Sequence, residues 1–359
     1  MEDRIGVGLV GYGYAGRTFH AALIAGVTAL DLRAVVSRRA DEVRRDWPAV
    51  TVHADIDAML ADPAIGLVVV ATPNDTHAPL ACAALRAGKH VVVDKPFALD
   101  LAQARAVIAV AEAEGRQLFV FHNRRWDSDF LTISVAIAEG VIGEVRHWES
   151  HFDRFRPAVR DRWREHDAPG AGVWFDLGPH LIDQALLLFG LPDGVLASLA
   201  RQRDGAAVDD WAHVVLLYGE RRVVLHAGSL VAGGTHRFVA HGTRGSLVKH
   251  GADRQEAQLV AGARAGSAGW GEDPDPLIVI DSEGEKRERA AVPGDQRAFY
   301  RAVAGAIAGP ATSPVHPVEA LAVMAVLIAA QTSAREGRVC APDLLSDERN
   351  RWERRRVTP

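Results

Sequence analysis

Asp176 and His180 stand four residues apart in the stretch Gly170-Ala171-Gly172-Val173-Trp174-Phe175-Asp176-Leu177-Gly178-Pro179-His180. On a helix starting near Asp176 this spacing puts both side chains on one face. Pro179 then falls in the first turn, where its missing N–H costs nothing. A carboxylate beside an imidazole is an acid–base pair: the acid orients the ring and raises its basicity, and the ring carries the proton. The same spacing also serves an N-cap at Asp176 and a satisfied core histidine at 180. A second cluster, Asp94-Lys95-Pro96, follows the apolar run Val91-Val92-Val93. A lysine leaving a buried strand beside an acid can polarise a hydroxyl as its proton departs. X–Pro bonds are the common cis peptides, so the Lys95-Pro96 bond is a candidate for one. A third cluster, Ala71-Thr72-Pro73-Asn74-Asp75-Thr76-His77, offers polar groups to a ribose or a nicotinamide, or is a plain turn with a helix cap.

A fourth stretch says what kind of ligand these groups would surround. The apolar run Ile5 to Val10 leads into Gly11-Tyr12-Gly13-Tyr14-Ala15-Gly16 and then a helix-like segment. This G-x-G-x-x-G has the strand–turn–helix setting of a dinucleotide-binding loop. Gly11 permits the tight turn, Gly13 clears a path to the pyrophosphate, and Gly16 lets the helix lie close on the sheet. The helix N-terminus offers free N–H groups to the phosphates. The next strand ends in Ser37-Arg38-Arg39, where a site for NAD usually places an acid against the ribose 2′-hydroxyl. Asp31 is at the wrong end of that strand. Two guanidinium forks suit a 2′-phosphate instead, so the expected cofactor is NADP.

The elements that must hold these clusters can be read from hydrophobic pattern. The first third alternates strands (Ile5–Val10, Leu32–Val36, Leu67–Ala71, His90–Val93, Leu118–Phe121) with helices (Asp55–Ala61, Ala78–Ala87, Leu101–Glu114). Valine-rich continuous runs belong to strands buried on both faces. Gly88 and Gly115 suit helix C-termini, and Asp100 suits an N-cap. The expected class is α/β, with an N-terminal doubly wound parallel sheet of Rossmann type. Beyond about Arg124 strands follow one another without regular helices: Glu144–Asp153, Val195–Arg203, Ala212–Tyr218, Arg222–Ser229 and Arg237–Gly242. That is the pattern of an α+β domain with an open, mostly antiparallel sheet. Helices are expected near Phe175–Leu188 and Pro317–Glu336, and a loop over Gly262–Asp275. The 359 residues exceed one domain. The expected division is a dinucleotide-binding domain at 1–123, a substrate-binding and dimerisation domain at 124–345, and a solvated basic tail at 346–359.

Composition excludes other classes. A net charge of −5 argues against a nucleic-acid partner. Two cysteines, Cys82 and Cys340, make no disulfide framework. The N-terminus has no secretory pattern, and the longest apolar run, Ala320 to Ala330, is short for a membrane span. A cytoplasmic protein without a membrane partner is expected. The fifteen histidines are dispersed, with no ligand-spaced motif, so no metal is expected; no G-x-S-x-G elbow occurs either.

In this order the clusters resemble the glucose-fructose oxidoreductase/inositol dehydrogenase (Gfo/Idh/MocA) family, over nearly the whole chain. The stretches His122-Asn123-Arg124-Arg125-Trp126-Asp127-Ser128-Asp129-Phe130 and His151-Phe152-Asp153-Arg154-Phe155-Arg156-Pro157 are similar to those of its NADP-dependent scyllo-inositol dehydrogenases. The family usually has Glu where this chain has Asp94, which keeps the charge. The resemblance implies a Rossmann domain, then a domain whose open sheet forms a homodimer or homotetramer. It implies an enzyme that oxidises a CH–OH group of a cyclic polyol or sugar with NADP. His180 would be the general base, Asp176 its orienting acid, and Lys95 the stabiliser of the alkoxide. Thr72, Pro73, Asn74, His77, Asp94, Lys95 and Pro96 would hold the nicotinamide side of the cofactor. Asn123 and Arg125 would touch cofactor or substrate; Trp163, Arg154 and Arg156 would face substrate, or the arginines would form structural ion pairs. Two alternatives fit the same scaffold: a dehydrogenase of another sugar or a dihydrodiol, and a non-catalytic NADP(H)-sensing regulator.

Overall fold

A computed structural model of the chain describes residues 4–309 and 311–356. The apolar runs of the first third form β1 (Ile5–Val10), β2 (Leu30–Val36), β3 (Thr51–His53), β4 (Leu67–Val70), β5 (His90–Val93) and β6 (Leu118–Val120). They make one parallel sheet in the order β3-β2-β1-β4-β5-β6. Every residue of β4 is buried, as its four apolar side chains require between two helical layers. Chain order reverses between β1 and β4, so the turns after these two strands open on one crevice. The helix Leu101–Ala113 is capped as expected, Asp100 accepting from the Gln103 N–H at 2.8 Å. Gly88 and Gly115 lie just past helix ends at φ +77° and +60°.

The second sheet contains β7 (Val145–Asp153), β8 (Gly194–Ala200), β9 (Trp211–Tyr218), β10 (Arg221–Gly228), β11 (Phe238–Gly242), β12 (Gly245–Lys249), β13 (Leu277–Asp281) and β14 (Lys286–Arg289). Its order is β14-β13-β12-β11-β7-β10-β9-β8. The β7–β10 pair is parallel and its other pairs are antiparallel. Along β7 the residues alternate: Trp148, Ser150 and Phe152 are buried, while His147, Glu149, His151 and Asp153 lie on the opposite face. The helix Val173–Phe189 covers the buried face, with His180 6.4 Å from the Phe152 ring.

The chain divides into two compact units, but not with the expected single break at 123/124. The first unit is Met1–Trp126, Arg254–Gly271 and Asp295–Pro317; the second is Asp127–Asp253, Glu272–Gly294 and Val318–Pro359. The late segments join the first unit because the helix Arg297–Ala308 supplies its core: Phe299 and Tyr300 are buried and stack around Phe121. The expected solvated tail is instead a helix, Ser346–Arg356. Trp352 is 4% exposed within it, and Arg355 binds Glu319 at 2.9 Å. One further expectation changes. The helix Pro317–Glu336 is long and apolar enough to cross a membrane by length and composition, although the run inside it looked short. Of its most apolar window, 67% is buried inside the protein.

Candidate functional site

In the first unit the glycine turn is shaped by close approach. Gly11 has φ +100°, and a Cβ there would meet the Ala71 carbonyl oxygen at 2.5 Å. A Cβ on Gly16 would meet the Gly11 oxygen at 2.1 Å, whereas one on Gly13 would meet nothing within 4 Å. The turn is thus tight on the protein side and open where a diphosphate would lie. Residues 14–25 are helical, with the π-helix Gly16–Ala21 in the middle. Tyr12 is buried, and its hydroxyl donates to Asp46 at 3.0 Å. Burial and that carboxylate push its pKa up to about 12, so its side chain anchors the loop. The Tyr14 ring is exposed and donates to Glu256 at 2.8 Å.

The Gly11 N–H donates to the Val36 carbonyl at 3.0 Å, which sets the glycine turn against the end of β2. There the Ser37 hydroxyl accepts from the Arg39 N–H at 3.0 Å. Arg39 lies 3.9 Å from Glu42, whereas Arg38 is exposed and has no ion-pair partner among the described residues. The pair expected to read a 2′-phosphate therefore stands beside the expected phosphate loop.

The turns after β4 and β5 are joined by His77. Its ring nitrogens lie 2.8 Å from the Pro96 carbonyl oxygen and 2.9 Å from that of Thr72. Asn74 is buried between them in sequence, at the start of a 3₁₀ turn. Lys95-Pro96 is a cis peptide, and the Lys95 N–H donates to the Asp94 carboxylate at 2.8 Å. Burial opposes the charge on Asp94, but His20, Lys95 and His77 outweigh it and hold the carboxyl well below the usual range. His20 Nε2 lies 3.8 Å from Asp94, an ion-pair distance, and His20 Nδ1 lies 2.6 Å from the Tyr300 hydroxyl. Neither His20 nor Tyr300 was expected from sequence; a histidine four residues past a glycine loop carries no signal of its own. Asn123 is buried in the 3₁₀ turn Asn123–Trp126. Arg125 donates to the Pro314 carbonyl at 3.0 Å, so part of its role is structural.

In the second unit the helix Val173–Phe189 starts two residues before the expected Phe175 and three before Asp176, which changes two assignments. Its N-cap is Gly172, at φ +96°, and Asp209 supplies the capping groups. The Asp209 carboxylate accepts from the Trp174 N–H at 2.7 Å and its backbone carbonyl from the Val173 N–H at 2.8 Å. A Cβ at 172 would lie 2.2 Å from the Asp209 carboxylate. Asp176 is therefore not the N-cap but a first-turn residue, one turn before His180 on the same face. Pro179 is interior, not in the first turn, and leaves the Phe175 carbonyl without its helical donor. Gly178 admits close packing: a Cβ there would touch Trp174 at 2.9 Å and Leu327 at 3.0 Å. Trp174 also donates to the Leu327 carbonyl at 3.1 Å, so the helix carrying Asp176 and His180 is fixed on Pro317–Glu336.

Asp176 lines an open cleft with Arg154, Arg156, Arg162 and Arg164. Arg164 approaches Asp176 at 3.4 Å and stacks over the Trp163 ring at 4.5 Å, so Trp163, which is not among the residues lining the cleft, touches it through Arg164. Arg162 is neutralised by Glu165 at 2.7 Å, and Arg203 by Asp210 at 2.8 Å. Arg154 and Arg156 form no ion pair within 4 Å among the described residues, although the Asp176 charge acts on Arg156 from further off. Burial and the charges of Arg154, Arg160 and Arg162 lower the pKa of Arg156. This is a cleft with donors to spare for a ligand rich in oxygen. Burial, with Asp210 nearby, pushes the Asp209 pKa up to about 6 against the amide bonds that stabilise its charge. The candidate residues thus fall into two groups, with Lys95 in the first unit and Asp176 and His180 in the second.

A doubly wound sheet with a dinucleotide loop, followed by an open mostly antiparallel sheet, defines a nicotinamide-type oxidoreductase scaffold. Residues 5–122 match the oxidoreductase family model for an NAD-binding Rossmann fold, and residues 135–341 match the model for the family's C-terminal alpha/beta domain. The chain belongs to the Gfo/Idh/MocA oxidoreductase family. It is 51% identical over 330 residues to the uncharacterized oxidoreductase YdgJ of Escherichia coli strain K12, covering 91% of this chain and 95% of that protein. It is 37% identical over 341 residues to the scyllo-inositol 2-dehydrogenase (NADP(+)) IolW of Bacillus subtilis strain 168, covering 94% and 95%. A crystal structure from Klebsiella pneumoniae matches with a TM-score of 0.93 at 53% identity, covering 98% of this chain and 99% of that one.

Proposed function

We propose that this oxidoreductase oxidises a secondary alcohol of a cyclic polyol or sugar, scyllo-inositol-like, with NADP. The observation that carries the reading is Lys95 at the carboxyl end of β5, on a turn tied to Asp94 and, through His77, to the Thr72–Asn74 turn. Ligands of open α/β sheets lie outside these strand ends. The open space at Gly13 and the unmatched Arg38 support a dinucleotide with a 2′-phosphate. The bound nicotinamide supplies hydride-accepting chemistry. His180 takes the hydroxyl proton, Asp176 orients that ring, and Lys95 stabilises the alkoxide as it forms. Arg154 and Arg156 donate to substrate oxygens, and Arg164 restrains Asp176. The relative IolW, named for an NADP-linked inositol oxidation, points the same way.

The test is an NADP⁺ reduction screen with the purified chain over inositols, aldoses and cyclic diols. Turnover on a cyclic polyol or sugar, faster with NADP⁺ than with NAD⁺, is the expected result. Tight NADPH binding without turnover on any of them would replace this reading with that of a sensor.

A further inference from the structure

Sequence spacing gave no reason to expect a metal, because the residues that matter sit on two strands far apart in the chain. The parallel register of β7 and β10 sets His226 beside His151 and Gly228 beside Asp153, on the sheet face opposite the helix Val173–Phe189. Asp153 then lies between two imidazoles, its carboxylate 3.4 Å from His151 Nδ1 and 3.4 Å from His226 Nε2. One ligand atom from each of the three residues lies within 4.8 Å of the others. We propose that His151, Asp153 and His226 form a binding site for one first-row divalent cation of the zinc class.

Four observations carry this. First, each imidazole has a nitrogen 3.4 Å from one Asp153 oxygen, His151 from Oδ2 and His226 from Oδ1, about the ligand separation around a tetrahedral ion with bonds of roughly 2.0–2.1 Å. Second, the Asp153 side chain is 2% exposed, its Oδ2 accepts from Thr235 at 2.5 Å, and its Oδ1 has no hydrogen-bond partner among the described residues. A buried carboxylate oxygen without a donor is costly unless a cation meets it. Third, His151 Nε2 lies 2.9 Å from Glu149, whose other oxygen is 2.8 Å from His147. A carboxylate on the far nitrogen fixes the ring with Nδ1 turned toward Asp153, as outer partners of metal-bound histidines do. Fourth, a Cβ at Gly228 would come within 3.2 Å of Asp153 Oδ1 and 3.4 Å of His226 Nε2, so glycine keeps this approach clear. Two imidazoles and a carboxylate suit zinc, nickel, cobalt or copper rather than magnesium or calcium. Three protein ligands leave a position for water, and the ion would clip β7 to β10.

The untagged full chain, freed of metal with EDTA, should be titrated with Co(II) and followed by its visible d–d absorption. One equivalent per chain is expected, displaced by Zn(II). His151→Gln and His226→Gln should each weaken binding by more than about 100-fold, and Glu149→Gln by about 10-fold through the outer partner alone. Circular dichroism establishes that each variant is folded. Failure of the wild-type chain to take up Co(II) or Zn(II) at micromolar concentration overturns the site, as does a folded His226→Gln chain that titrates like the wild type. Neither result bears on the NADP reading, which uses none of these residues.

Discussion

The Tyr300 hydroxyl lies 2.6 Å from His20 Nδ1, beneath the turn that carries Lys95. The other ring nitrogen, Nε2, is turned toward Asp94 at 3.8 Å, so the ring stands between the tyrosine and the buried carboxylate. Burial and the Asp94 charge push the Tyr300 pKa well above the usual tyrosine value, so the hydroxyl remains a donor. A residue from the last third of the chain thus supports a turn in the first.

Tyr300→Phe removes that donor with little change in volume and leaves a buried nitrogen unmatched. A loss of about 1–3 kcal/mol is expected in urea unfolding. A variant as stable as the wild type would mean that the contact contributes nothing to holding the turn.

Lys95→Ala and His180→Ala address the proposed chemistry. Each should lower kcat by at least about 100-fold, the scale of a lost proton-transfer or charge-stabilising group. Binding of NADP, measured by fluorescence titration, should be nearly unchanged. Full activity in either variant would remove that residue from the mechanism.

Cofactor choice is tested by Ser37→Asp combined with Arg38→Ala. The change deletes a guanidinium without an ion-pair partner among the described residues and puts an acid where a ribose 2′-hydroxyl would lie. A charge-assisted hydrogen bond contributes about 1.5–3 kcal/mol, so the NADP/NAD ratio of kcat/KM should fall by about 10- to 100-fold. An unchanged ratio would place phosphate recognition elsewhere.

What was legible in the sequence follows the physics of burial. β1, β4 and β5 announce themselves because a strand covered on both faces must be apolar throughout. The four-residue spacing of Asp176 and His180 likewise survives a shift in helix start. β14, Lys286–Arg289, was not legible, since an edge strand of charged residues has no apolar alternation to read. The join of residues 254–271 and 295–317 to the first unit was equally hidden, because Tyr300 declares its partner only through long-range packing. Asp209 escaped for a related reason. An N-cap supplied from another segment leaves no trace beside the helix it caps.

That cap has a pH signature. Burial raises the Asp209 pKa to about 6 in the folded chain, against about 3.9 unfolded. Between these values the folded chain binds more protons than the unfolded one, so stability falls as pH rises. The contribution is fully present below about pH 3.9 and lost as pH passes through 6. Carboxylates with lowered values, such as Asp94 and Asp210, titrate in the opposite sense and mask it in the wild type alone. Asp209→Asn isolates the effect: the amide oxygen still accepts from the Trp174 N–H but does not ionise. From pH 4 to pH 7 the stability of this variant relative to wild type should improve by about 2–3 kcal/mol. Urea unfolding at four pH values measures it, and a flat difference would mean that folding leaves the Asp209 pKa unshifted.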